Sequence, residues 1–329
     1  MAYRVETADH NGRAVSTLRD TSSGAFASVL PSFGFNLFDL RLPAAGAVRR
    51  MVVAADDFAD NPSRPGRNGT PILFPFPNRI RAGKYEFGGK SYQIPVAANV
   101  HAIHGFAIAA KWDVIDQGAT ADEAFLVGRF HLAEHSPEGR ALWPTDAILT
   151  VRYALAGRRL TMTATVSNPT DADLPYGFGI HPYFRLPFAS KDTTKGRVIL
   201  PASEYWPLEG YLPTGERKPV DARLDFRKGR SMAGLKLDDV LTGLEFAGDR
   251  CVCRLVDDDL GAEFRLGFDR TFRELVAFTP PQDDTLIAVE PYTQTTDAIN
   301  LQARGVDAGL RVLGHGKSES MTIVMETVG

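Results

Sequence analysis

The chain has 329 residues, and its 37 lysines and arginines against 40 acidic residues give a formal charge of −3. That balance leaves no basic excess to hold nucleic acid or an anionic membrane surface. With 44% apolar and 23% charged residues, the composition excludes disorder, and the length suffices for one large domain spanning residues 1–329.

Charges in the opening MAYRVETADHNGRAV occupy the place where a signal peptide carries its apolar core. No later stretch approaches the ~18 apolar residues of a membrane helix, so a soluble, cytoplasmic protein is the expectation. Phe38, Leu40 and Leu42 alternate with Asp39 and Arg41, the period of a half-buried strand. The Pro/Gly/Asn-rich stretch from Asp60 to Pro71 reads as a long surface loop beside a site. In YEFGGKSYQIP, Gly88 and Gly89 mark a hairpin turn between two aromatic strands.

The strongest pattern follows. Leu149, Val151, Tyr153 and Leu155 alternate with polar or small residues, and Leu160, Met162, Ala164 and Val166 do so again after Gly157. This predicts an antiparallel hairpin with one buried face, stopped by Asn168-Pro169. EFRLGF, LIAVE and MTIVMETV predict further strands. Cys251 and Cys253, two apart in CVCRLV, share one strand face and read as reduced packing residues. Capped helical segments are lacking, so the expected fold is all-β, a large antiparallel sandwich with few short helices.

Four segments carry residue types that strands alone do not require. Phe74-Pro75-Phe76-Pro77-Asn78-Arg79-Ile80-Arg81 sets planar donors on a stiff backbone, suited to hydroxyl-rich or anionic ligands or to a plain capped turn. The segment from Asn99 to Phe106 contains His101 and His104, and His131 pairs with His135. Neither spacing completes a metal signature, so no metal is expected. His104 stands beside Gly105, where another backbone or a ligand can approach. His181 sits among aromatics and glycines in Tyr176–Phe184, either a packed core histidine or a proton-transfer group. Glu290 ends the apolar run LIAVE, where partial desolvation raises a carboxyl towards use as a general base unless it simply emerges into water.

In order and spacing, these segments resemble the aldose 1-epimerase (mutarotase) family over roughly Thr70 to Asn300. The resemblance rests on Asn78-Arg79-Ile80, Asn99…His104-Gly105, His181-Pro182-Tyr183-Phe184, Pro213-Thr214-Gly215-Glu216, Leu237-Asp238-Asp239 and Glu290. It implies a galactose mutarotase-like β-sandwich that interconverts the α and β anomers of free hexoses. By the same resemblance Glu290 is the base and His181 the acid, exchanging roles on ring closure, so both should titrate near working pH. Asn78, Arg79 and His104 then bind sugar, as does Asp238 or, one register away, its neighbour Asp239. Tyr183, Phe184 and Trp206 are assigned to the core.

The reaction transfers no electrons or groups, so it implies no cofactor. The partner is a small aldose, not nucleic acid or a membrane, and the sequence leaves oligomeric state open. His-Pro-Tyr-Phe in place of His-Ser-Tyr-Phe, and Glu-Pro-Tyr in place of Glu-Thr-Gln, mark a divergent branch. Arg79, Arg81 and Lys84 cluster within six residues, which keeps a phosphorylated sugar open as substrate. A sugar-binding protein without catalysis uses the same sandwich. A glycoside hydrolase would need Asp238 or Asp239 as partner to Glu290 and would leave the histidines without a task.

Overall fold

The computed structural model describes residues 2–96 and 100–328. Asn99, part of the second motif, lies outside the described residues.

Alternation along the strands produces two large antiparallel sheets, with four two-stranded pairings beside them among the described residues. One has nine strands, in the order Asp113–Ala119, Ala124–His131, Ile148–Ala156, Arg159–Ser167, Ser318–Val328, Ala262–Phe268, Cys251–Asp257, Gly196–Ile199 and Arg230–Ser231. The expected hairpin lies at its centre. Leu149 pairs with Val166 and Leu155 with Leu160, and all four side chains are buried. Burying each such side chain contributes roughly 1.5–3 kcal/mol. The second strand ends at Ser167, immediately before Asn168-Pro169. Cys251 and Cys253 are free thiols, both buried on one face of their strand.

The other sheet has thirteen strands. Tyr3–His10 begins it, and its middle runs Ala47–Val52, Tyr183–Arg185, Leu286–Tyr292, Glu274–Phe278, Asp238–Leu244 and Ala202–Trp206. One apolar cluster draws on both sheets, from Leu18 and Leu40 on one side to Leu126 and Val151 on the other. Within it Phe35 stacks between Trp112 and Tyr153, each ring centroid 5.4 Å away. The fold is therefore the expected sandwich. Its α-helices are short: Leu132–His135, Pro137–Ala141 and Ala298–Ala303. No helix among the described residues is long and apolar enough to cross a membrane.

Candidate active site

Strand register builds the site. Gly179 pairs with Tyr292, and Tyr183 pairs with Ala288, so the same antiparallel register sets His181 opposite Glu290. On the far side Glu290 pairs with Val276, and Val276 with Val240. A second row crosses the sheet one step along, formed by Tyr183, Ala288, Phe278 and Asp238. Period two makes these rows share a face, and they floor a cleft.

Loops supply the walls. The Asp60–Pro71 stretch turns through a short 3-10 helix at Pro65–Arg67 and brings Gly66 and Arg67 to the cleft. Tyr183 fixes it there by donating its hydroxyl to the Gly66 carbonyl at 2.9 Å. The opposite wall is the pairing of Arg79–Ile80 with Ala102–Ile103. Beyond it Asn78 and His104 both adopt left-handed backbone, φ 57° and 67°, and the His104 N–H donates to the Asn78 carbonyl at 2.8 Å. Asparagine and histidine are the side chains that tolerate this region best. At Gly105 an added Cβ would lie 2.2 Å from the Phe74 carbonyl oxygen, so glycine here permits a close backbone approach.

Every site residue expected from the sequence lines this cleft: Asn78, Arg79, His104, His181, Asp238 and Glu290. Asp239 turns away, its carboxylate 2.6 Å from Arg223. His181 Nε2 stands 3.3 Å from Glu290 Oε1. The imidazole stacks on Tyr183, ring centroids 4.8 Å apart, and His104 meets it edge-on at 5.6 Å. Arg79 lies under the ring of the exposed Tyr211 and donates to Asn78 Oδ1 at 3.0 Å.

Electrostatics follow from enclosure. Burial pushes Glu290 well above the usual carboxylate range, opposed by a hydrogen bond from Tyr292. Burial pushes His181 down to about 3, and His104 also well down. Thus only Glu290 moves towards neutrality. His181 departs from the expectation because aromatic neighbours strip the water that would stabilise its cation. Burial thus favours the neutral form of each member of the pair. Asp238 is also raised by burial, although Arg79 opposes the shift.

The sequence reading missed Tyr183, Val276, Phe278 and Tyr292, assigned to the core or not singled out, and Gly66 and Arg67 in the loop. The i+2 rule gave a signal for two of them: Tyr183 follows His181 by two, as Tyr292 follows Glu290. Phe184 and Trp206 are buried core, as expected. The basic cluster divides: Arg79 faces the cleft, while Arg81 and Lys84 line a separate groove with Tyr85, Tyr92 and Arg304. His101 faces the turn that joins Leu208–Glu209 to its pairing partner Leu212–Pro213, its Nε2 3.3 Å from the Gly210 carbonyl, so it does not join His104.

The family sequence model described as aldose 1-epimerase matches residues 17–326. The chain belongs to the aldose 1-epimerase family. Over 175 residues it is 29% identical to the uncharacterized protein YihR of Escherichia coli, covering 51% of this chain and 52% of that protein. It is 26% identical over 249 residues to the E. coli aldose 1-epimerase, covering 72% and 64%. The matched stretches thus span between half and two thirds of these relatives' own length. A galactose mutarotase-like protein from Clostridium acetobutylicum superposes with a TM-score of 0.88 at 22% identity, covering 99% of this chain and 98% of that one. The galactose 1-epimerase of Lactobacillus acidophilus gives 0.74 at 17%, covering 98% and 99%. At these identities the structural likeness establishes the aldose 1-epimerase fold, and chemistry must be argued from the cleft.

Proposed function

We propose that this family member is an aldose 1-epimerase acting on free hexoses, with Glu290 as base and His181 as acid. The observation that carries the reading is their direct opposition, 3.3 Å apart on the floor of a polar cleft. Anomer exchange must remove a proton from the C1 hydroxyl and deliver one to the ring oxygen. Both oxygens are bonded to C1, so the two serving groups must lie close together.

Bound sugar hydroxyls replace the water that enclosure removed, and the shared proton passes from Glu290 to His181. Glu290 Oε1 then takes the C1 hydroxyl proton. As the C1–O5 bond breaks, C1 becomes an aldehyde and O5 receives the imidazolium proton. Rotation about C1–C2 and reversal of both transfers give the other anomer. Arg79, Asn78 and His104 from one wall and Asp238 from the floor meet the remaining hydroxyls, combining charged and neutral donors with a carboxylate acceptor. Arg81 and Lys84 lie outside the cleft, which leaves Arg67 and Arg79 as its lining cations.

Polarimetry on freshly dissolved glucose, galactose, xylose, arabinose and glucose 6-phosphate tests this. Faster decay of rotation with the neutral hexoses is expected. Saturable binding without acceleration on any sugar would replace the enzyme by a binding protein.

A further inference from the structure

We propose that Tyr292 is a positioning residue: its phenol clamps one oxygen of the Glu290 carboxylate, leaving the other aimed at His181 and the anomeric hydroxyl. The proposal rests on the acid–base reading above and explains how a buried glutamate can serve as the base. Tyr292 Oη donates to Glu290 Oε2, while Oε1 faces His181 Nε2. The two side chains share a strand face, two residues apart, and both are buried.

The phenol is itself held in place. Across the sheet its neighbours are Gly179 on one side and Glu274 on the other. A Cβ at Gly179 would lie 2.3 Å from Tyr292 Cδ1 and 2.8 Å from Cε1, so the ring occupies space that only glycine leaves. Leu73, Trp206, Val240 and Val276 pack the same cluster. A ring seated this firmly offers its hydroxyl from one direction only.

Two chemical consequences follow. A donor on Oε2 stabilises the charged carboxylate against burial. When Glu290 is protonated, Oε2 is already accepting, so the proton must sit on Oε1, the oxygen that faces His181. Tyr292 therefore confines the transferable proton to the working side of the carboxyl group. Burial keeps the phenol protonated, which preserves it as the donor. The other titratable groups around the pair are Tyr183, Asp238, Arg67, Arg79 and His104 lining the cleft, and Glu274 across from Tyr292.

Tyr292→Phe retains the ring against Gly179 and removes only the donor. The test measures anomer exchange across pH in wild type and this variant, together with titration of the Glu290 carboxyl in protein labelled with 13C at glutamate Cδ, using Glu290→Gln to assign the signal. Losing a hydrogen bond to a charged group predicts kcat lower by roughly 10- to 100-fold. KM should stay nearly constant, and the acidic limb of the kcat profile and the Glu290 midpoint should both move to higher pH. A uniform loss across pH with an unmoved midpoint would reduce Tyr292 to a packing residue and overturn the proposal. If wild type accelerates no sugar, the acid–base reading fails separately. The Glu290 midpoint then decides on Tyr292 alone, and equal midpoints in the two proteins refute the clamp.

Discussion

Two clusters in this molecule combine histidines with carboxylates, and their chemistry differs. In the cleft, Glu290 and His181 are enclosed, and burial drives each towards its neutral form. The other cluster lies around the short helix Leu132–His135. There His131 Nε2 is 2.6 Å from Asp146 and its Nδ1 3.0 Å from Glu134, while His135 Nε2 is 3.2 Å from Asp113. Arg129 joins it, 3.0 Å from Asp113 and 3.4 Å from Glu134. Hydrogen bonding to Arg129 pulls Asp113 below its ordinary value. Asp113, Glu134 and His135 bring ligand atoms within 4.8 Å of one another, but the guanidinium already answers both carboxylates. Residue type does not separate the two clusters. Desolvation prevails in the first, which favours the neutral forms of its members, and pairing prevails in the second, where Arg129 answers the carboxylates.

The largest expected effect tests that contrast in the cleft. Glu290→Gln or His181→Asn should each lower anomer exchange by about 10²–10⁴-fold, the usual worth of a positioned acid or base, without unfolding the chain. Full activity in either variant, measured by polarimetry, would cancel the distinction between the clusters. Next, the two adjacent aspartates sharpen it at single-residue resolution. Asp238→Asn should raise KM by roughly 10-fold through loss of a charged hydrogen bond to sugar. Asp239→Asn should leave KM unchanged, because its carboxylate meets Arg223. Equal KM effects would contradict the placement.

Stability against pH gives a smaller effect with a definite sign. The unfolded chain protonates His181 near 6.5 and the folded chain near 3, so protons favour unfolding as pH falls between these values. His181→Asn should therefore lose less stability than wild type across that window. Glu290 acts in the opposite sense, because its folded value lies above the ordinary 4.5. Its contribution is complete below 4.5 and fades as pH rises, so Glu290→Gln should gain on wild type towards neutral pH. Thermal unfolding over a pH series reads both, and parallel curves would contradict the burial argument. The smallest effect belongs to the other cluster: His131→Gln should leave exchange intact and change stability by no more than about 1 kcal/mol. A loss of exchange there would mean the two regions are coupled.

Alternation made the sandwich legible, since Leu149 to Val166 writes one buried face into the chain, while the apolar run of Leu286–Tyr292 marks a strand buried on both faces. Register was not legible. Nothing local says that His181 stands across from Glu290, because two short pairings that flank Pro182 fix that relation. Resemblance supplied the proposed acid and base, and period two would have added Tyr183 and Tyr292 had i+2 neighbours been followed. Arg67 could not be read, because a loop's direction depends on contacts such as the Tyr183 hydroxyl on Gly66. Arg81 and Lys84 appeared to join Arg79 on spacing alone. A 3-10 turn at Arg81–Gly83, with Ala82 at φ 50°, carries the chain away from the cleft.

The most direct test of the account is NMR magnetisation exchange between the α and β anomers of a hexose, for wild type and Glu290→Gln in the same buffer and pH. The account predicts exchange accelerated by wild type alone, with the variant folded and near the spontaneous rate. Equal acceleration by both proteins would show that Glu290 is not the base.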